Sequence, residues 1–328
     1  MVRKKTILVT GGAGYIGSHA CKALHSAGYM PVTFDNLSQG SIDFVKWGPF
    51  FQGDLQNLSD IEEAFKKYQP EAVIHFAASA LVIESLENPS KYYRNNLFST
   101  VNLLDTLLKF GVKKIVFSST CATYGMPSET PITEETAQVP INPYGKSKLM
   151  IEKILQDYED AYGLQFAALR YFNAAGNDLD GEIGECHDPE THLIPLLVQT
   201  ALKERETFTI YGNDFPTKDG YAIRDFVHVN DLVDAHLLSL DYLFSHEKSL
   251  KLNLGSGSGY SVMEVASLLE TILGEKLNVK MAPKREGEPA ILIADASKAK
   301  KLLSWEAKID LQTILKSAID WQRNLALN

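Results

Sequence analysis

Disulfide chemistry has almost nothing to work with in this chain. It holds 3 cysteines in 328 residues, Cys21, Cys121 and Cys186, odd in number and widely spaced, so they form neither a cross-linked framework nor a Cys-x-x-Cys site. That points to a reduced, cytoplasmic protein. Long apolar runs are missing too: no stretch is long enough to span a bilayer, and no membrane partner is expected. The basic Arg3-Lys4-Lys5 is followed only by Thr6 to Thr10 before glycines intervene, too short for a secretory signal core. Positive charge is in deficit, with a net charge of −9, which argues against sequence-independent nucleic-acid binding because phosphate backbones need clustered cations. What is present is ordinary for a globular protein, 45% hydrophobic and 22% charged, with length for about two domains or one large α/β unit.

Thr6-Ile-Leu-Val-Thr10 is an unbroken apolar and β-branched run that halts at Gly11-Gly-Ala-Gly14-Tyr15-Ile16-Gly17, and Tyr15 to Ala27 then carries helical periodicity. Strand, turn and helix in that order are the context a dinucleotide site requires. Glycine admits positive φ and lets backbone N–H groups approach a pyrophosphate at the positive end of the helix. The spacing is Gly-x-x-Gly-x-x-Gly rather than Gly-x-Gly-x-x-Gly. Pro31 to Asp35 reads as a second strand, its carboxylate about 20 residues past the loop where the adenine ribose hydroxyls belong; a carboxylate there repels a 2′-phosphate and favours NAD over NADP.

Phe50 to Leu55 is a further short strand, and Asp54 either reaches the adenine amino group or caps a helix over Leu58 to Tyr68. Ala72 to Ala78 is the next strand, ending in small residues that leave room for a cofactor, and His75 within it reads as a satisfied core residue. Pro89 to Phe110 reads as one long helix with Asn95 and Asn96 in its middle, amides that need ribose or backbone partners. Lys114 to Ser119 is the fifth strand, and such alternation predicts an α/β fold with a doubly wound parallel sheet. Ser118, Ser119, Thr120, Thr123 and Tyr124-Gly125 cluster at its carboxyl end. In Pro143-Tyr144-Gly-Lys-Ser-Lys148, Tyr144 and Lys148 share one face of a helix that runs to about Tyr162 and stops at Gly163.

The stretches Thr10 to His19, Phe34-Asp35-Asn36, Phe76-Ala77-Ala78, Ser118-Ser-Thr120 with Tyr124-Gly125, Pro143 to Lys148 and Leu169-Arg-Tyr-Phe-Asn173 carry a family likeness. It continues through His192-Leu-Ile-Pro195, Tyr211-Gly212, Arg224 to His228 and Asn253-Leu-Gly255. With these motifs the chain resembles, over nearly its whole length, the extended short-chain dehydrogenase/reductase superfamily and, within it, nucleotide-sugar 4-epimerases of the UDP-glucose (UDP-galactose) 4-epimerase type. The resemblance implies that Tyr144 is the acid/base at the sugar O4, that Thr120 hydrogen-bonds that oxygen and that Lys148 holds the nicotinamide ribose. A nearby ammonium and a positive nicotinamide would together stabilise phenolate. It implies NAD contacts from Gly11, Gly14, Tyr15, Ile16, Gly17, Asp35, Asn36, Asp54, Leu55, Phe76, Ala77, Ala78, Asn95, Ser118, Tyr171 and Phe172, with Tyr144 and Lys148.

For the UDP-sugar it implies Asn173, His192, Leu193, Thr209, Tyr211, Arg224, Arg285, Glu288 and Leu292, with Arg224 and Arg285 clamping the diphosphate. Tyr211, on a strand from Phe208, is a candidate to stack on uracil or else a core residue. Three positions depart from the family pattern: Thr120 for Ser, Ala80 for a cofactor-contacting Lys, and Glu288 for Asp. Leu292 falls where the residue walling off the sugar C2 substituent stands, and a side chain smaller than an aromatic leaves room for an N-acetyl group.

Beyond Asn173 the rhythm loosens. Asn177 to Thr191 looks like a loop over the sugar site, in which Cys186-His187-Asp188 with His192 imitates a metal cluster; the spacing is poor and the residues adjacent rather than converging, so no metal is expected. Gly255 to Gly259 reads as a turn before a helix opened by a Ser261/Glu264 capping box, and Asp310 to Asn324 as the closing helix. The expected division is an NAD-binding domain over 1–175, with a later segment near 224–250 packing back on it, and a nucleotide-sugar lobe over 176–328. A homodimer through Pro89–Phe110 and Tyr144–Tyr162 follows from the superfamily likeness. The implied reaction is reversible C4 epimerisation through a 4-keto intermediate on tightly bound NAD, with UDP-glucose and UDP-galactose as the main pair and UDP-N-acetylglucosamine as a further substrate. A sugar-nucleotide 4,6-dehydratase would carry Asp-Glu after Thr120, where Cys121-Ala122 stand; a dinucleotide-sensing regulator of the same fold would have no need of Thr120, Tyr144 and Lys148 together.

Overall fold

The computed structural model describes residues 4–325, so Arg3 of the basic run lies outside the described residues. The apolar run at the start forms β1 (Thr6–Thr10), buried throughout, and the strands that follow it are β2 (Met30–Asp35), β3 (Phe50–Gln52), β4 (Ala72–His75), β5 (Lys114–Thr120) and β6 (Gln165–Tyr171). Between them lie α1 (Tyr15–Ser26), α2 (Leu58–Tyr68), α3 (Val82–Glu87), α4 (Pro89–Tyr92), α5 (Ser99–Lys109) and α6 (Pro143–Tyr162). The strands pair in parallel in the order β3-β2-β1-β4-β5-β6, and a seventh, β10 (Leu250–Leu254), joins beside β6. The order reverses at β1, which is flanked by β2 and β4, and ligands of such sheets bind in the crevice at that point.

Strand alternation splits the core between the two faces of this sheet. Ile7 and Val9 of β1 face one way, with Leu24 of α1 and Leu232, Leu240 and Leu243 of α8 (Val229–His246). Leu8 faces the other way, with Phe65 of α2, Leu103 and Leu107 of α5 and Ile151 and Leu155 of α6. Each such fully buried side chain contributes about 1.5–3 kcal/mol, which fixes the register that aligns the strand ends. Full-length pairing of β5 with β6 sets Thr120 opposite Tyr171.

The helix expected over Pro89–Phe110 is not continuous: α4 passes through a π-helical turn at Tyr93–Phe98 before α5. The wide turn swings Asn96 inward, where its amide accepts from Ser79 N at 2.8 Å and donates to Ser79 O at 3.0 Å and Ser147 Oγ at 3.2 Å. The Ser79 backbone and the Ser147 hydroxyl satisfy it. The strands expected to reach Leu55 and Ala78 end earlier, at Gln52 and His75.

The remaining elements build a smaller lobe. β7 (Asn173–Ala175), β9 (Ile223–His228), β11 (Gly259–Ser261) and β13 (Ile291–Leu292) form one sheet, and β8 (Phe208–Tyr211) pairs with β12 (Val279–Ala282). α7 (Leu193–Ala201), α9 (Val262–Leu273) and α11 (Leu311–Leu325) pack on them through Ile194, Leu197, Val265, Leu269, Ile314 and Leu315, while α10 (Ser297–Leu303) returns to the large unit through Ala299 and Leu303. Residues near 224–250 divide, β9 joining the smaller sheet and α8 the large one. The Ser261/Glu264 capping box opens α9. The glycine-rich turn before it has its amides occupied: Ser256 N and Gly257 N donate to the Asp225 carboxylate at 2.8 and 3.1 Å. Among the described residues no helix is long and apolar enough to cross a membrane.

Candidate active site

The three glycines of the first turn answer to different demands. Gly11 takes φ +71°, and a Cβ there would meet Ala77 N at 2.7 Å; a Cβ on Gly17 would lie 2.0 Å from Gly11 O. The fold itself needs both. A Cβ on Gly14 would touch only Gly11 O, at 3.3 Å, so that glycine leaves space rather than relieving a clash. No side chain caps α1, whose N-terminus begins at Gly14, and its first amides face that space. Ile16 is half-buried there, and the Tyr15 hydroxyl donates to Gly176 O, which turns its side chain away from that space. Asp35 receives Ala13 N at 3.0 Å and Leu37 N at 2.8 Å; burial raises its pKa and the two amides oppose this. Asp54 takes Gln56 N at 2.8 Å and the Asn36 amide at 3.0 Å, and the cap of α2 is Asn57, not Asp54. Leu55 is buried, Phe76, Ala77 and Ala78 line the end of β4 half-buried, Ala80 is exposed, and the Asn95 amide donates to Ser79 Oγ at 3.0 Å. An uncapped helix, a glycine the packing does not require and a carboxylate one strand away fit a dinucleotide with a free 2′-hydroxyl.

At the carboxyl end of β5, Thr120 Oγ1 accepts Ala122 N at 3.1 Å and opens the short turn Cys121–Thr123. A Cβ on Gly145 would sit 2.5 Å from Ala122 O, so glycine at 145 lets the first turn of α6 close onto that turn and brings Tyr144 to Thr120. Asn142 caps α6 by accepting Gly145 N at 2.8 Å. Loss of solvent raises the Tyr144 phenol above its ordinary pKa, Tyr171 adds to this, and the Thr120 hydroxyl opposes it. Lys148 is 3% exposed, donates to Ser118 O at 2.8 Å, and is pushed down to about 7 by burial. Desolvation thus pushes both groups toward their neutral forms. Ser118 Oγ hydrogen-bonds the Tyr171 hydroxyl, Phe172 is buried next to it, and burial holds the Cys121 thiol neutral, up to about 12.

Across the crevice, charged side chains of the lobe hold one another. Arg224 donates to Ile223 O at 2.9 Å and to Glu288 Oε1 at 3.1 Å, and burial lowers its pKa against the pull of Glu288. Glu288 Oε2 is buried without a hydrogen-bond partner, an acceptor suited to a ligand hydroxyl, so the longer arm is accommodated by the arginine. The Arg285 guanidinium lies 3.9 Å from the centroid of the Tyr211 ring, and Tyr211 is 39% exposed, which removes the core reading of that residue. Thr209 is half-buried on β8, and the Asn173 amide donates to Asp225 O at 2.8 Å. Leu292 pairs in register with Arg224 and packs on Cys121, Tyr124 and Phe172, joining the lobe to the end of β5.

His192 is the N-cap of α7, with Leu193 next to it. Burial works against its imidazolium, but Glu185 and Glu190 outweigh that and hold the pKa at about 10; the same carboxylates hold His187 at about 9. Of the four residues singled out in this loop, His187 and His192 come together with Glu185 and Glu190, while Cys186, which is exposed, and Asp188 lie outside the group.

One buried network escaped the sequence reading. Arg170 on β6 binds Glu152 of α6 through Nε at 2.9 Å and Nη2 at 2.6 Å, both side chains 3% exposed, and Glu152 also receives the Ser119 hydroxyl. Arg170 Nη1 donates to the Tyr124 hydroxyl at 2.9 Å, which donates to Asn253 Oδ1 at 2.7 Å, so the network fixes β5, α6 and β10 around Thr120. The only signal was an arginine within an apolar strand.

Residues 7–255 match the NAD dependent epimerase/dehydratase family. The UDP-glucose 4-epimerase of Rhizobium meliloti (strain 1021) is 46% identical over 320 residues, covering 98% of each chain. The crystal structure of UDP-glucose 4-epimerase from Brucella ovis in complex with NAD superposes with a TM-score of 0.94 at 48% identity, covering 96% of this chain and 98% of that one. The UDP-Glc/GlcNAc 4-epimerase of Campylobacter jejuni gives 0.85 at 42%, covering 98% and 99%. The chain is an NAD-dependent enzyme that belongs to the NAD dependent epimerase/dehydratase family and, within it, to the UDP-glucose 4-epimerase type.

Proposed function

We propose that this enzyme inverts C4 of UDP-hexoses, interconverting UDP-glucose and UDP-galactose and turning over UDP-N-acetylglucosamine more slowly. The observation that carries the reading is the closure of α6 onto the Cys121–Thr123 turn through Gly145, which gathers Thr120, Tyr144 and Lys148 beside the glycine turn. NAD, when bound, supplies reversible two-electron oxidation of the sugar C4 and a positive charge beside the phenol. Tyr144 takes the O4 proton as C4 is oxidised and returns it on reduction. Burial raises that phenol above its ordinary range, so its work as a base leans on the positive charge that NAD supplies when bound. Thr120 hydrogen-bonds O4, and Lys148 holds the nicotinamide ribose.

In the lobe, Arg224 and Arg285 clamp the diphosphate, Glu288 Oε2 takes a uridine ribose hydroxyl, and Asn173, His192 and Leu193 seat the phosphates and sugar. A dehydratase reading lacks an acid and base beside C5 and C6, since the positions after Thr120 hold a neutral buried thiol and Ala122. We further propose a cytoplasmic homodimer, supported by the free cysteines and by exposed Phe98 and Met150 on the helices expected to pair. The test is incubation of purified protein with each UDP-sugar, without added cofactor, and resolution of the C4 epimers. Epimerisation is expected with NAD copurified, and a strict need for external NADPH would overturn the reading. A monomeric mass at micromolar concentration would overturn the dimer.

A further inference from the structure

The segment before α7 reads Glu185-Cys-His187-Asp-Pro-Glu190-Thr-His192 and folds so that four donors face one point. His192 Nδ1 lies 2.9 Å from Glu185 Oε1 and 3.0 Å from Glu190 Oε1; His187 Nδ1 lies 3.2 Å from Glu185 Oε1 and 3.7 Å from Glu190 Oε2. All four donor atoms fall within 4.8 Å of one another. Imidazole nitrogens and carboxylate oxygens roughly 2.0–2.1 Å from a tetrahedral ion stand about 3.3 Å apart, so these separations straddle the edge of such a polyhedron.

Hydrogen bonds already hold part of the group, Glu190 Oε1 receiving Thr191 N at 2.7 Å, His192 N at 2.8 Å and His192 Nδ1 at 3.0 Å; two further observations point to an ion beyond them. His187 Nδ1 is buried and has no hydrogen-bond partner although a carboxylate oxygen is 3.2 Å away, so it is not aimed as a hydrogen bond requires. The supports of a ligand shell are also in place: the Glu185 and Glu190 side chains are 4% and 8% exposed, Glu185 N donates to Asn177 Oδ1 at 2.6 Å, and Trp321 Nε1 donates to Glu185 O at 2.8 Å. A neighbouring acidic group of the same loop shows the contrast. Asp178, Asp180 and Glu182 surround Lys22 Nζ at 2.8, 2.7 and 2.7 Å and so carry their own cation.

We propose that Glu185, His187, Glu190 and His192 form a closed site for one divalent transition-metal ion of the zinc class. Two imidazoles and two carboxylates suit zinc or cobalt better than magnesium or calcium, which prefer all-oxygen shells. With four protein ligands the ion is structural. It ties the segment that begins where Gly176 receives the Tyr15 hydroxyl to the N-cap of α7, joining the glycine turn to the lobe.

The experiment uses the full, tag-free, NAD-loaded chain, treated with chelator, dialysed against Zn²⁺ or Co²⁺, freed of excess ion and assayed for metal by mass spectrometry. The expected result is about one ion per chain, a visible tetrahedral Co²⁺ spectrum and a rise in Tm of at least about 2 °C on metal addition. His187→Gln and Glu185→Gln, each checked for fold by circular dichroism and NAD content, are expected to lose the stoichiometry, spectrum and Tm response. Less than about 0.1 ion per chain in the wild type, an octahedral spectrum, or unchanged binding in a folded variant would overturn the site and leave two imidazoliums paired with two carboxylates.

Discussion

Around the glycine turn at the carboxyl end of the large sheet the open surface is mostly backbone: the first amides of α1 and the space kept open at Gly14. In the smaller lobe the same task falls to long side chains already engaged with one another, Arg224 with Glu288 and Arg285 with Tyr211. The first kind of site is rigid because the strands that hold it are buried on both faces. On the proposed reading the second would exchange partners when a diphosphate arrives, trading some binding energy for the ability to close on a substrate. Substitutions should therefore act on chemistry and cofactor retention at the sheet, and on KM and selectivity in the lobe.

Tyr144→Phe gives the largest expected effect, a loss of about 10²–10⁴ in kcat with NAD content and fold retained, read from steady-state kinetics and the cofactor released on denaturation. Near-normal turnover would remove Tyr144 from its role. The glycine turn offers an internal contrast. Gly17→Ala drives a Cβ to 2.0 Å from Gly11 O and is expected to cost on the order of 3 kcal/mol in urea unfolding, whereas Gly14→Ala changes stability by less than about 1 kcal/mol yet lowers NAD occupancy. Equal loss of stability in both would erase the distinction between glycine for packing and glycine for ligand. Arg224→Ala should raise KM about 10- to 100-fold with kcat within about threefold, since it removes a charge-assisted donor and leaves Glu288 unpaired. A fall confined to kcat would place Arg224 with the chemistry instead. Smallest of all, Leu292→Tyr should lower the ratio of kcat/KM for UDP-N-acetylglucosamine over UDP-glucose about tenfold, and an equal response of both substrates would end the gatekeeper reading.

The residues that spoke plainly in the sequence are those whose role is local. Pro143 and Gly163 bound α6 as Pro and Gly at helix ends should, and Asn177 to Thr191 holds no helix or strand. Residues whose role depends on a distant partner did not speak. Asn96 shows only as an amide in a helical pattern, because a π-helical turn leaves the apolar periodicity readable on both sides of it. Arg170 looks like a strand residue bound for solvent until Glu152, 18 positions away, is seen beneath it. Asp54 is readable as a cap of α2, and only the Ser59 amide shows that Asn57 takes that place. In the site, Thr120, Tyr144, Lys148 and the glycines were legible by spacing, while the Arg224–Glu288 and Arg285–Tyr211 pairings were not, since each joins residues more than 60 positions apart.

The place of β10 has a consequence for how the chain is made. A ribosome that has delivered residues 1–175 has delivered six of the seven strands of the large sheet and left β6 as an open edge, with Leu169 and Ala167 awaiting the face that α8 and β10 will cover. The missing strand ends at Leu254, and in between the nascent chain must lay down β8, β9 and much of the lobe. The two units therefore mature together rather than in succession. A chain ending near residue 175 would present β6 as an unpaired edge, a ready template for pairing with another chain.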